Sequence, residues 1–164
     1  MDKVIVIGCS GSGKSVFSRK LRDVTHLPLY HIDRIYWRED GSFLSKPELH
    51  ERLREIINED RWILDGNYGS TMEMRMKAAD TVFFLDYPTE ICLAGVRERK
   101  GKPRSDMAWL SPDDDDMEFV EFIKNYNRVN RPRVMELLEK YSHKRIVVFK
   151  SREESECYLR SLRI

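Results

Sequence analysis

Residues 8–15 read GCSGSGKS, a Gly-x-x-x-x-Gly-Lys-Ser pattern, and the chemistry this spacing serves is polyphosphate binding. Gly8, Gly11 and Gly13 let the backbone curl until the N–H groups of Cys9, Ser10, Ser12 and their neighbours face one anion. Lys14 is placed to neutralise β- and γ-phosphates, and the Ser15 hydroxyl to hold Mg²⁺. A helix starting near Lys14, with Val16 in its first turn, adds the positive end of its dipole. Residues 8–16 are therefore expected to bind ATP with Mg²⁺. Cys9 reads as a small space-filling residue, with a loop-activated thiol as the competing reading.

Two carboxylates follow at matching places. Asp33, in HIDRIYW (His31–Trp37), comes about one strand–helix–strand unit after Lys14 and suits a group that orients a hydroxyl or takes its proton. His31 alternates with Asp33 and is expected to point the same way. Tyr36 and Trp37 offer flat surfaces for a ring, or simple packing. Asp65 ends the apolar run WILD, the usual place for a magnesium-associated carboxylate. Behind it Gly66 permits close approach of backbone to a ligand, and Asn67 and Tyr68 are candidates to contact the acceptor. Asp86, in FLDYP, reads as a turn or cap residue. Met72 and Met76 fall on one helical face and read as packing.

Phosphoryl transfer also needs cations on the migrating oxygens. VRERKGKPR contributes Arg97, and its Gly and Pro suit a mobile lid over about 97–116. NRVNRPR contributes Arg128 and Arg131, three apart and expected on one helix face, with Pro132 expected to kink that helix. Ser111, Pro112 and the aspartates 113–116 read as a capped helix start. Backbone groups of Lys150 to Arg152 are placed to meet adenine.

What must position these residues is a set of five apolar runs: Lys3–Ile7, Pro28–Ile32, Trp62–Asp65, Thr81–Leu85 and Arg145–Phe149. Continuous rather than alternating, they read as parallel strands covered on both faces. Helical patterns over Lys14–Val24, Pro47–Asn58, Thr89–Arg99, Met117–Tyr141 and Glu153–Leu162 separate them. That alternation predicts an α/β fold, with ligands along the edge where the strands end. The 164 residues fit one domain, 1–164. A net charge of +1 gives no support for a duplex-binding protein, so DNA is not an expected partner. No apolar run is long enough to span a membrane, and the brief apolar start is not read as a signal peptide. Three cysteines without metal spacing suit a reducing, cytoplasmic setting. The association state is open between monomer and homodimer.

Together GCSGSGKS, LYHIDRIYW, RWILDGNY, ADTVFFLDYP and NRPRVMELL resemble the small adenylate-kinase-like P-loop proteins labelled DNA topology modulation, or FlaR-related, proteins, from about residue 3 to residue 150. The resemblance implies the nucleoside monophosphate kinase fold of P-loop NTPases, a three-layer sandwich around a five-stranded parallel sheet of order 2-3-1-4-5 with a short lid. It implies that ILDGNY stands where adenylate kinases carry a DGFPR-like segment, with Asp65 matching the magnesium-associated aspartate. Asn67 and Tyr68 replace Phe-Pro and the arginine is missing, which argues against AMP as acceptor. HIDRIYW looks more like the acceptor-aspartate segment of kinases for small alcohols. The expected function is transfer of the ATP γ-phosphoryl group to a nucleoside, nucleotide or other hydroxylated metabolite. The alternative is a non-enzymatic nucleotide-binding regulator associated with DNA topology.

Overall fold

The computed structural model of the protein describes residues 1–103 and 117–163. In chain order the elements are β1 (Lys3–Gly8), α1 (Lys14–Thr25), β2 (Leu29–His31), α2 (Ile32–Tyr36), α3 (Lys46–Ile57), β3 (Trp62–Asp65), α4 (Gly69–Ala78) and β4 (Thr81–Leu85), then α5 (Thr89–Arg99), α6 (Met117–Val129), α7 (Arg131–Lys140), β5 (Arg145–Phe149) and α8 (Arg152–Ser161). The five strands form one parallel sheet of order β2-β3-β1-β4-β5. All five therefore end on the same edge, and Gly8, His31, Asp65, Leu85 and Phe149 are their last residues.

Alternate residues of β1 feed opposite faces. Val4 and Val6 join Phe17 and Leu21 of α1, Ile123 of α6 and Leu159 of α8 in one core. Ile5 and Ile7 join Leu49 and Leu53 of α3, Met72 and Met76 of α4 and Val134 and Leu138 of α7 in the other. Two separate cores flanking one sheet make the three-layer sandwich. The central strands β1, β3 and β4 are almost entirely buried, which explains their unbroken apolar runs. The edge strands β2 and β5 are only partly covered, and Val148 is 36% exposed.

Three local readings change. HIDRIYW does not continue β2 but turns at Ile32 into the five-residue helix α2, so His31 and Asp33 do not alternate along a strand. The pattern from Met117 to Tyr141 is two helices broken at Asn130, with Pro132 in the first turn of α7, where its missing N–H costs nothing. Arg128 and Arg131 therefore belong to different helices and share no face. Ser111, Pro112 and the aspartates 113–116, with most of the proposed lid, lie outside the described residues.

Candidate functional site

The glycine-rich loop joins β1 to α1 and is held from beneath by α5. Gly11 has φ +81°, and a Cβ there would lie 2.0 Å from the Cys92 carbonyl oxygen. A Cβ on Gly95 would in turn lie 2.0 Å from the Gly11 carbonyl oxygen. Loop and helix thus meet backbone to backbone. The sequence reading missed Gly95, although a glycine inside a helical pattern is the kind of signal that marks close approach. Cys9 is buried in this contact beside Cys92. The neighbouring Cys92 thiol and burial push the Cys9 thiol up, so the activated-thiol reading does not hold.

Lys14 opens α1 and turns its ammonium back under the loop, donating to the carbonyls of Gly8 at 2.9 Å and Cys9 at 3.1 Å. Burial pushes its pKa down, against the pull of Asp33, Cys9 and Asp65. Strands β2, β3 and β1 are neighbours in the sheet, so Asp33, Asp65 and Lys14 all stand at the same edge. Within the same loop the Ser12 hydroxyl is buried with no hydrogen-bond partner among the described residues. Ser10 lies in the loop, Ser15 in the first turn of α1, and Val16 beside it is 47% exposed.

The turn after β3 is tied to both halves of the site. His31 Nδ1 and Asp65 Oδ2 lie 2.8 Å apart, and β2–β3 pairing sets these residues opposite each other. His31 is thus occupied by Asp65 rather than turned out with Asp33. Asn67 uses its side-chain oxygen to accept from the Gly8 N–H at 3.1 Å, joining this turn to the start of the phosphate loop. Tyr68 has φ +31°, an uncommon conformation for a bulky residue. Its hydroxyl donates to Asp33 at 2.5 Å. Tyr36 lies 5.0 Å from the Tyr68 ring and 5.2 Å from Trp37, centroid to centroid.

Arg75, unsuspected from sequence, holds this turn in place. It is fully buried. It donates to the Gly66 carbonyl at 2.9 Å, to the Tyr68 carbonyl at 3.4 Å, to the Asn67 carbonyl, and to the Thr71 hydroxyl at 3.1 Å. Burial pushes its pKa down to about 9, opposed by Asp65 and Tyr68. Three successive carbonyls on one guanidinium fix the backbone that presents Asn67 and Tyr68. In sequence Arg75 is one charged residue in a methionine-rich helix, with nothing local to distinguish it.

The expected cations are placed unevenly. Arg97 is exposed on α5. In the same cluster it is Arg99 whose charge reaches Lys14, and it also sits 5.8 Å over the Phe119 ring. Arg128 is exposed and donates to Asn125 at 3.0 Å. Arg131 is committed to Asp86, at 2.8 Å through both Nε and Nη2. Asp86 also accepts from Lys150, so it anchors an ion-pair cluster rather than a turn. Arg152 opens α8, with its Nη2 3.0 Å from where a Gly95 Cβ would stand, alongside the phosphate loop.

These residues fit a polyphosphate with magnesium. The loop is glycine-lined, its lysine donates to two loop carbonyls, and a buried hydroxyl lacks a partner among the described residues. Among the described residues no group of three or more His, Cys, Asp or Glu could enclose a metal. An ion there would take one or two protein oxygens and complete its shell with phosphate and water, the habit of Mg²⁺.

No family model matches the chain, and no curated protein matches it. Solved structures do. Shikimate kinase from Acinetobacter baumannii, in complex with shikimate, aligns with TM-score 0.66 at 14% identity over 99% of this chain and 93% of that one. Shikimate kinase from Bacteroides thetaiotaomicron gives 0.59 at 15% identity over 97% and 94%. Deoxyadenosine kinase from M. mycoides with bound dATP gives 0.53 at 13% identity over the full length of both. No helix among the described residues is long and apolar enough to cross a membrane. The chain has the fold of P-loop small-molecule kinases.

Proposed function

We propose that the protein is an ATP-dependent small-molecule kinase that passes the γ-phosphoryl group to a hydroxyl of its acceptor. The observation that carries this reading is the placement of Lys14, just after β1, at the sheet edge where the adjacent β3 ends at Asp65 and β2 leads into Asp33. Gly8 to Val16 would hold the triphosphate, with Ser15 and Asp65 toward Mg²⁺ and Arg152 toward the base. ATP, when bound, supplies the phosphoryl group and the leaving ADP. Lys14 exchanges its loop carbonyls for phosphate oxygens and meets the developing charge without reorganising water. Asp33 receives the hydroxyl proton of the acceptor, and Tyr68 holds the carboxylate in place by donating to Oδ1. His31 orients Asp65 through their hydrogen bond. Arg97 and Arg99 lie in the last turn of α5.

The test is ADP release from Mg-ATP across a panel of hydroxylated metabolites. Acceptor-dependent ADP is expected. ATP binding without it, together with salt-sensitive DNA binding, would replace the kinase by a nucleotide-binding regulator.

A further inference from the structure

Next to Asp33 the chain builds an aromatic shelf. After α2, residues 37–43 fold back as a tight hairpin, with Trp37 and Phe43 paired in an antiparallel bridge. Two backbone bonds close it, Arg38 N–H to the Ser42 carbonyl at 2.8 Å and Leu44 N–H to the Tyr36 carbonyl at 2.9 Å. Asp40 pins its tip by accepting from the Ser42 N–H at 2.9 Å and hydroxyl at 2.6 Å. The result is a fixed set of rings. Tyr36 stacks on Phe43 at 5.4 Å with 17° between planes, and Trp37 meets both edge-on. Tyr36 and Tyr68 lean on the hydrophobic core, whereas Phe43 is 56% exposed.

Two features tie this shelf to Asp33. Tyr68 touches the Tyr36 ring and gives its hydroxyl to Asp33, so shelf and carboxylate share a residue. Tyr68 also keeps a strained positive φ, enforced by buried Arg75 on its carbonyl. Strain that the surroundings over-determine is characteristic of ligand sites. Two arginines near the shelf have partners of their own. Arg38 pairs with Glu48 at 3.4 Å, and Arg75 is spent on the turn carbonyls. An acceptor with a carboxylate or phosphate would lean on such cations, whereas a neutral ring gains from stacking.

The geometry points to a neutral hydroxyl compound bearing a planar ring, of which a nucleoside is the simplest representative, as the acceptor. This inference rests on the kinase reading. The ring lies on the Phe43–Tyr36–Trp37 shelf and its hydroxyl reaches Asp33. The acceptor oxygen forms the new bond to the γ-phosphorus, the bond from that phosphorus to the bridging oxygen breaks, its electron pair leaves with ADP, and the hydroxyl proton passes to Asp33.

The experiment compares adenosine and uridine with their 5′-monophosphates, shikimate and glycerol in Mg-ATP-dependent ADP release, alongside calorimetry of ATP binding. The nucleosides are expected to give the highest kcat/KM. Phe43→Ala, which removes the exposed ring of the shelf, is expected to raise the nucleoside KM roughly 10-fold with kcat and the ATP KM little changed. Phe43→Tyr should keep most of the wild-type KM, because a ring remains. Preference for a monophosphate, shikimate or glycerol overturns this inference and leaves the kinase reading standing. So does a Phe43→Ala enzyme with the wild-type nucleoside KM. ATP binding without turnover of any acceptor removes both.

Discussion

Arg131 grips Asp86 as a two-pronged pair, with Nε and Nη2 each donating at 2.8 Å to a different carboxylate oxygen. Asp86 follows β4 and Arg131 opens α7, so the pair ties the break between α6 and α7 to the edge where the site lies. Lys150, just after β5, joins from the other side. The pair engages Nε and Nη2 of Arg131, so a role for it toward a phosphoryl group would fall to Nη1 or follow release from Asp86.

Acid should expose this anchor. Burial pushes the Asp86 carboxyl up, but the hydrogen bonds from Arg131 and Lys150 outweigh it and hold it below its ordinary value. A carboxyl depressed in the folded state stabilises the fold fully above its unfolded pKa of about 4 and loses that contribution as pH falls through the folded value. Asp86→Asn should therefore cost about 1–3 kcal/mol at pH 7, less than the roughly 3–5 kcal/mol of a fully buried pair because Lys150 and, partly, Arg131 can rehydrate. The cost should shrink in urea titrations as pH drops below 4. A cost independent of pH would assign the stabilisation to shape rather than charge.

Lys14 works in the opposite sense. Burial lowers its pKa, so the folded state holds its charge less willingly than the unfolded chain does. Such a group makes the fold gain stability as pH rises from the depressed value toward the unfolded value of about 10.4. Lys14→Met is accordingly expected to hold or raise the melting temperature at pH 7, with an advantage that narrows toward pH 10. The same variant should lose acceptor-dependent ADP release by at least about 10³-fold, the scale of a lost charge on migrating phosphoryl oxygens. Normal turnover would remove Lys14 from the phosphate site.

Asp33→Asn tests the acceptor side alone. The amide keeps the size and can still accept from Tyr68, but it cannot take a proton. The expected loss is on the order of 10²–10⁴ in kcat, with ATP affinity by calorimetry unchanged. A near-wild-type kcat would make Asp33 a positioning carboxylate and shift proton acceptance elsewhere.

The five strands were legible because buried parallel strands write themselves as unbroken apolar runs, as KVIVI and TVFFL do, whereas their order was implied only by the family resemblance. The phosphate loop was legible because its function is local: eight consecutive residues make the whole cradle. The acceptor side is assembled from distant segments, and there the reading thinned. Nothing near Arg75 in sequence says that it will face Gly66, Asn67 and Tyr68. Likewise the pairing of Arg131 with Asp86 spans 45 residues. The helical pattern across Met117–Tyr141 runs through Asn130 because both sides are amphipathic, and Pro132 suits a first turn as well as a kink.

Gly95 gives the sharpest separation between a local and a tertiary account. In an isolated helix, Gly→Ala is worth up to about 1 kcal/mol of stabilisation. Here the added methyl would stand 2.0 Å from the Gly11 carbonyl oxygen, and 3.0 Å from the Arg152 guanidinium, so α5 and the loop must part. Overpacking against backbone costs roughly 1–3 kcal/mol, which exceeds the helical gain. Parting them also spoils the curl that aims the loop N–H groups. Gly95→Ala is therefore expected to lower the melting temperature and to weaken binding of a non-hydrolysable ATP analogue by about 10-fold or more. Gly69→Ala supplies the control, since a Cβ there meets nothing within 4 Å, and both measurements should stay near wild type. An ATP affinity untouched by Gly95→Ala would show that the cradle keeps its shape without α5 beneath it.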